Sequence, residues 1–159
     1  LNHALGAAER SGLNLREAAL DGAFLERANL RKAYLPCADL GGSWLHGADL
    51  TDAKLIGASL INARLHYRPD ASPKAVNLSG ADLTHADLSG ALLRGANMIG
   101  ANLKDAKGLT QEQVNQAYGS SQWGDDMPDT ELPDDLNTPE AWRRPLEEQK
   151  GQRQKSRSL

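Results

Sequence analysis

The chain has 159 residues, enough for one domain, and its formal net charge of −3 favours neither nucleic acid nor a membrane surface as a partner. Hydrophobic residues make up 40% of the chain but aromatic residues only 4%, so Ala and Leu must fill most of the core. The single cysteine, Cys37, excludes an internal disulfide, and no apolar run is long enough to span a bilayer. We therefore expect a cytoplasmic chain, without membrane contact by this segment. Its core should be built mainly from Ala and Leu side chains that recur along the sequence.

A five-residue period runs through residues 11–108. Leu or Met occupies 17 sites in steps of five, from position 15 to 65 and from 78 to 103, and 16 of them are Leu. Ala stands two residues before 14 of the sites. A period of five fits neither an α-helix nor a β-strand, but it fits a coil in which each side takes five residues. Residues 1–10 lie nearly in phase and are expected to form an N-terminal cap or an imperfect repeat.

Six stretches share the order Ala, then Asp or Asn, then Leu. This pattern resembles the pentapeptide-repeat family, whose motif is A(D/N)LXX. The resemblance implies an all-β solenoid, a right-handed parallel quadrilateral β-helix in which four sides and twenty residues make one turn. The stretches are Ala28-Asn29-Leu30, Ala38-Asp39-Leu40, Ala48-Asp49-Leu50, Ala81-Asp82-Leu83, Ala86-Asp87-Leu88 and Ala101-Asn102-Leu103.

In such a coil the recurrent Leu points inward and stacks on the Leu of the next turn, about 4.8 Å away. Ala also points inward, near a corner where a larger side chain would collide. Gly suits turn positions that need a positive φ. The Gly residues expected at such turns are at positions 22, 42, 47, 57, 80, 90, 95 and 100.

The pattern breaks between Leu65 and Leu78, which are thirteen residues apart rather than five. Two Pro and an Asp in this stretch predict a loop insertion at 66–75. In one register, eight residues bulge out and Leu78 takes the next side. In the other, residues 71–73 form a degenerate side and only three residues are extra. We favour the first register, because Pro is a poor centre for a hydrogen-bonded side.

Residues 109–145 differ from the repeats and are predicted to form a helix and a cap over the end of the coil. Thr110 and Gln113 have the spacing of a capping box, so a short helix should run from Thr110 to Tyr118. Val114, Ala117 and Tyr118 should face the coil. The segment resembles an LTxEQ, TxLPxxL and PxxW extension that often follows bacterial pentapeptide repeats, and residues 146–159 are expected to be disordered. The proposed anchors of the cap are Trp123, Met127, Leu132, Leu136 and Trp142.

No motif for catalysis or cofactor binding is present, so we expect no enzyme, no cofactor, no metal and no catalytic residue. The Asp residues lie at the family's turn position, where a structural role outweighs acid–base chemistry. His46 and His66 are twenty residues apart and should stack on adjacent coils. With Glu26 they could begin a metal site, but solvated surface histidines are the favoured interpretation.

Outward positions give the functional hypothesis. At a spacing of twenty, Phe24, Trp44 and Arg64 fall in one column, and the eight-residue bulge adds Leu92 to it. Exposed apolar strips of this kind tend to mark partner sites. The competing interpretation is that Phe24 and Trp44 pack under the loop or the N-terminus. The predicted partner-binding residues are Phe24, Trp44, His46, Arg64, His66, Tyr67, Leu92 and Arg94.

Three functions compete for this sequence. The first is a non-catalytic scaffold or protein-interaction module that binds a protein and no nucleic acid, alone or as part of a longer bacterial protein. The second is a topoisomerase-binding DNA mimic of the quinolone-resistance type, which the family resemblance suggests. Such a mimic needs an acidic tower, whereas residues 11–108 carry eleven Lys and Arg and ten Asp and Glu. The third, an enzyme, has no support, so the first is favoured.

Overall fold

The computed structural model describes residues 12–66, 75–117 and 130–137. Their backbone winds into a right-handed β-helix in which parallel bridges join successive coils. Each side contributes one bridged residue, the residue just before the inward Leu, as in the pairs Asn14–Tyr34 and Ala19–Asp39. The two residues that each of these bridges joins are twenty positions apart in the sequence. Four sides of five residues therefore make one coil, as the period predicted.

The core is a layered stack of the inward side chains. Leu35, Leu55 and Leu83 lie above one another on one side of the coil and are fully buried. The small residues two positions earlier, such as Ala33 and Ala53, are equally inaccessible to solvent. At about 1.5–3 kcal/mol per fully buried Leu, this stack is the main source of stability.

Every turn between sides in the described residues uses a residue with positive φ, two positions after the inward Leu or Met. The N–H of the next residue donates to the carbonyl of that Leu, as Ala18 does to Leu15 at 3.1 Å. The glycines predicted at these turns all have positive φ. Non-glycine residues also adopt it, so the coil imposes the left-handed conformation whatever the side chain. These residues are Glu17, Arg27, Lys32, Cys37, Asp52, Asn62, His85 and Asp105.

The insertion shifts the register by eight residues. Asp49 pairs with Asn77, and Arg64 pairs with Leu92, so partners across the insertion are 28 rather than 20 residues apart. The prediction that Leu78 takes the next side is therefore confirmed. The N–H of Val76 donates to the carbonyl of Leu65 at 3.1 Å and closes the coil where the insertion leaves it. Residues 67–74 lie outside the described part.

A short helix, α1, spans Gln111–Gln116 and packs on the end of the coil. The predicted capping box is present, with Thr110 and Gln113 bonded reciprocally. The Gln113 side chain also donates to the carbonyls of Leu88 and Ala91, at 3.3 and 2.9 Å. Val114 is buried against the core. The helix ends earlier than predicted, and Tyr118 lies outside the described residues.

Residues 130–137 continue the stack beside α1. Glu131 forms a parallel bridge with Asn102. The Thr130 hydroxyl donates to the carbonyl of Met98 at 2.7 Å, which satisfies an acceptor of the last coil. Leu132 and Leu136 pack against the core.

Some predicted features of the chain ends fall outside the described residues. They include the N-terminal cap at 1–10, the tail at 146–159, and the anchors Trp123, Met127 and Trp142. The boundaries assigned to the cap and the resemblance of its motifs to a known extension remain predictions. Among the described residues, no helix is long and apolar enough to cross a membrane.

Candidate functional site

The predicted outward column is present on one side of the coil. Parallel bridges join Phe24 to Trp44, Trp44 to Arg64, and Arg64 to Leu92. Each of these residues precedes an inward Leu, so its side chain points away from the core. We call these four residues the aromatic strip.

Contacts within the strip hold Trp44 in place. The Phe24 and Trp44 rings lie 5.3 Å apart, tilted by 43°. On the other side, the Arg64 guanidinium lies 4.1 Å from the centre of the Trp44 ring, a cation–π contact. Such a contact contributes about 0.5–1 kcal/mol at an exposed site. Phe24 is 57% exposed and Leu92 50% exposed, so the strip presents ordered apolar surface to solvent.

His46 is buried beside the strip, contrary to the prediction of a solvated surface histidine. Its side chain is 1% exposed, and its ring meets the His66 ring edge-on at 4.6 Å. The Trp44 and His46 rings form a second T-shaped pair, with ring centres 6.0 Å apart. The stacking at a spacing of twenty was predicted. The burial was not, because neighbouring large side chains in adjacent columns shield one another.

The hydrogen bonding of His46 fixes one ring nitrogen. Nδ1 lies 3.0 Å from the backbone carbonyl of His66, which can only accept, so Nδ1 carries the proton. Nε2 is buried and has no hydrogen-bond partner among the residues that the structure describes. Glu26, the third ligand considered from the sequence, is exposed. Within residues 12–66, 75–117 and 130–137, no group of three or more His, Cys, Asp or Glu could hold a metal ion.

The aspartates at turn positions serve the backbone. The carboxylate of Asp87 accepts from the N–H of Ser89 at 2.9 Å and from its hydroxyl at 2.6 Å, and these bonds lower the pKa of Asp87. Burial raises the pKa of Asp49, but the hydroxyl and N–H of Thr51 together with Arg31 outweigh it, so the pKa lies below its ordinary value. A general acid or base at neutral pH needs a raised pKa, so these carboxylates fit the structural role.

A groove lies between the last full coil and α1. Its volume is about 310 Å³, close to the lower limit of about 300 Å³ for ligand pockets. Leu92 and Arg94 form its coil wall, and Glu112 and Gln116 lie on its helix wall. We call it the end groove. The groove was not predictable from the sequence, because the position in which α1 docks leaves no signal in the repeat pattern.

The structure brings together seven of the eight predicted partner-binding residues. The aromatic strip, the stacked histidines and Arg94 occupy one continuous side of the coil, and His66 also lines the end groove. Tyr67 lies outside the described residues.

Comparison with known proteins identifies the family. The model of the family described as pentapeptide repeats matches residues 11–43, 37–66 and 74–107, in eight copies. The chain belongs to the pentapeptide-repeat family. No curated protein sequence matches this pentapeptide-repeat chain.

Solved structures that are similar to this chain include the pentapeptide-repeat proteins Rfr23 and HetL and the resistance protein QnrB1. Rfr23 from the cyanobacterium Cyanothece 51142 is 26% identical, with a TM-score of 0.53, over 79% of this chain and 84% of Rfr23. HetL from Nostoc sp. strain PCC 7120, involved in heterocyst differentiation regulation, is 26% identical over 82% of this chain and 61% of HetL, with a TM-score of 0.29. The plasmid-mediated fluoroquinolone-resistance protein QnrB1 is 14% identical over 92% of this chain and 63% of QnrB1, with a TM-score of 0.26.

Proposed function

We propose that this pentapeptide-repeat protein is a non-catalytic interaction module that binds a protein partner through the side of the coil that carries the aromatic strip. The observation that carries the proposal is the exposure of Phe24 and Leu92 in one ladder with Arg64 and the half-buried Trp44. Burial of apolar surface against a partner contributes a favourable free energy of roughly 25 cal/mol per Å² removed from water. His66, Tyr67 and Arg94 complete the proposed surface, whereas His46, the eighth predicted residue, is buried and contributes only by packing against Trp44 and His66.

The strip is suited to binding because it is already ordered. Trp44 is packed between Phe24 and Arg64, so a partner would not have to immobilise it on binding. Ordering a free side chain at an interface costs roughly 0.5–1.5 kcal/mol. Aromatic and Arg side chains are also the residues that most often dominate binding energy at interfaces.

The absence of catalysis is part of the proposal, and the roles of the polar residues support it. Four aspartates each accept a hydrogen bond from the backbone N–H of the residue two positions further along the chain. They are Asp39, Asp49, Asp82 and Asp87. His46 is committed to a backbone carbonyl. These side chains therefore already have structural tasks.

The DNA-mimic alternative is disfavoured by charge. A protein that imitates DNA must present a strongly negative surface, because DNA carries one charge per about 1.7 Å of its axis. Residues 11–108 have a net charge of +1, from eleven basic and ten acidic residues. The similarity to QnrB1 has too low a TM-score to argue for that function.

We place the protein in the cytoplasm in this proposal. Cys37 is a free and exposed thiol, and such thiols persist in a reducing compartment. Cell fractionation with an antibody against the chain tests this location.

A capture experiment tests the binding surface. Trp44→Ala should leave the circular dichroism spectrum unchanged and reduce by about tenfold the capture of partners from lysate of the native host, a loss typical of an interface hot spot. Tyr34→Ala is the matched control, because Tyr34 is 41% exposed at the same repeat position on the opposite side of the coil. Equal capture by the wild type and Trp44→Ala would remove the proposal.

A further inference from the structure

The end groove and the arginines beside it indicate the chemistry of the partner. We propose that the partner contributes an acidic segment whose bulky apolar side chain enters the end groove while its carboxylates pair with Arg64 and Arg94. This inference rests on the proposed function, since it assigns a class of ligand to the same side of the coil. It concerns the end of that side nearest α1.

The groove continues the strip. Leu92 belongs to both, since it pairs with Arg64 in the ladder and lines the groove with Leu93 and Ala91. Half of the Leu92 side chain is exposed, so an apolar group in the groove would contact it directly. A volume of about 310 Å³ has room for one large side chain and too little for a folded element. An extended segment lying along the strip therefore fits better than a broad interface.

The charges next to the groove select an acidic segment. Among the described residues, Arg94 forms no ion pair, and the contact of Arg64 is with the Trp44 ring. Both side chains are exposed. Guanidinium groups bind carboxylates through paired hydrogen bonds, so these two cations are available for such contacts. A basic segment would instead place like charges together.

Glu112 on the helix wall sets the orientation of the segment. Its carboxylate lies across the groove from the coil and accepts a hydrogen bond from Gln116 at 3.3 Å. It would repel carboxylates placed against α1. The acidic groups should therefore follow the coil wall, along Arg64 and Arg94, with the apolar side chain between them.

Peptide binding to the full 159-residue chain tests the inference. Three fluorescein-labelled twelve-residue peptides serve as probes: Leu flanked by Glu, the same peptide with Ala for Leu, and Leu flanked by Lys. Fluorescence anisotropy should show that the Leu–Glu peptide binds at least about tenfold more tightly than either of the others, as expected for charge-assisted contacts. Equal binding of the Leu–Glu and Leu–Lys peptides, or no binding of any peptide, would overturn the inference.

A charge reversal assigns the site. Arg94→Glu should weaken the Leu–Glu peptide about tenfold and improve binding of the Leu–Lys peptide. Lys104→Glu is the matched control, because Lys104 is exposed at the same repeat position on the opposite side of the coil. The two substitutions change the net charge of the protein by the same amount. If Arg94→Glu and Lys104→Glu have the same effect, the inference fails. The proposed function would survive that failure if partner capture still depended on Trp44.

Discussion

The inward residues of the stack contribute most of the stability, and adjacent positions along the chain differ sharply in burial. The Leu55 side chain is fully buried, whereas Ile56, the next residue, is 38% exposed. Leu55→Ala should lower the free energy of unfolding by about 2–5 kcal/mol, because a cavity opens between layers that cannot close up. Ile56→Ala, measured by the same urea titration, should cost less than about 1 kcal/mol. Similar losses for the two variants would contradict the layered core.

Which residues turn inward could be predicted from the sequence, because a five-residue period in a closed coil leaves little choice. The left-handed turn residues were predicted only where Gly marks them. Arg27 and Lys32 take the same conformation with φ of 58° and 55°, since coil geometry overrides their preference. The burial of His46 was not predictable either. It depends on the His66 and Trp44 rings around it, and thus on contacts between coils rather than on any local pattern.

The helix α1 acts as a cap whose attachment depends on Gln113. Its amide closes the capping box and donates to the carbonyls of Leu88 and Ala91. Gln113→Ala should destabilise the protein by about 1–3 kcal/mol, because the buried carbonyl of Ala91 loses its donor, whereas the carbonyl of Leu88 keeps the N–H of Ala91.

Gln116→Ala is the control for this prediction. The Gln116 side chain bonds Glu112 on the exposed side, while its backbone carbonyl keeps the bond from Gly95. Thermal unfolding of the two variants decides the matter. Equal melting temperatures would show that the amide of Gln113 does not tie α1 to the coil.

The existence and start of α1 followed from Thr110 and Gln113, because a capping box is local chemistry. The position in which α1 docks could not be predicted from the sequence, and therefore the end groove could not be predicted either. The groove depends on how far α1 lies from Leu92, a distance set by the bonds from Gln113 and by the burial of Val114. Neither feature has a periodic signal.

The whole molecule should lose stability in acid because of its turn aspartates. The pKa values of Asp49, Asp82 and Asp87 are lower in the folded protein than their ordinary value. Their contribution is therefore complete above the ordinary Asp pKa of about 3.9, and it is lost as pH falls through the lower folded values. Urea midpoints should be nearly constant between pH 7 and 5 and fall towards pH 3, as these groups take up protons.

The double variant Asp82→Asn and Asp87→Asn should flatten this acid limb. Asn keeps the backbone bond at such a turn, as Asn77 and Asn97 do in neighbouring repeats. An acid limb as steep as that of the wild type would mean that other carboxylates cause the loss.

The central claim is that the partner binds the side of the coil that bears the aromatic strip. Site-specific photo-crosslinking tests this claim most directly. The photoreactive amino acid p-benzoylphenylalanine at position 24 would sit on the strip, and at position 34 on the opposite side at the same repeat position. In the native host, irradiation should yield a discrete crosslinked protein from position 24 and none from position 34. Crosslinking from position 34 alone, or equally from both, would contradict the assignment of the partner surface.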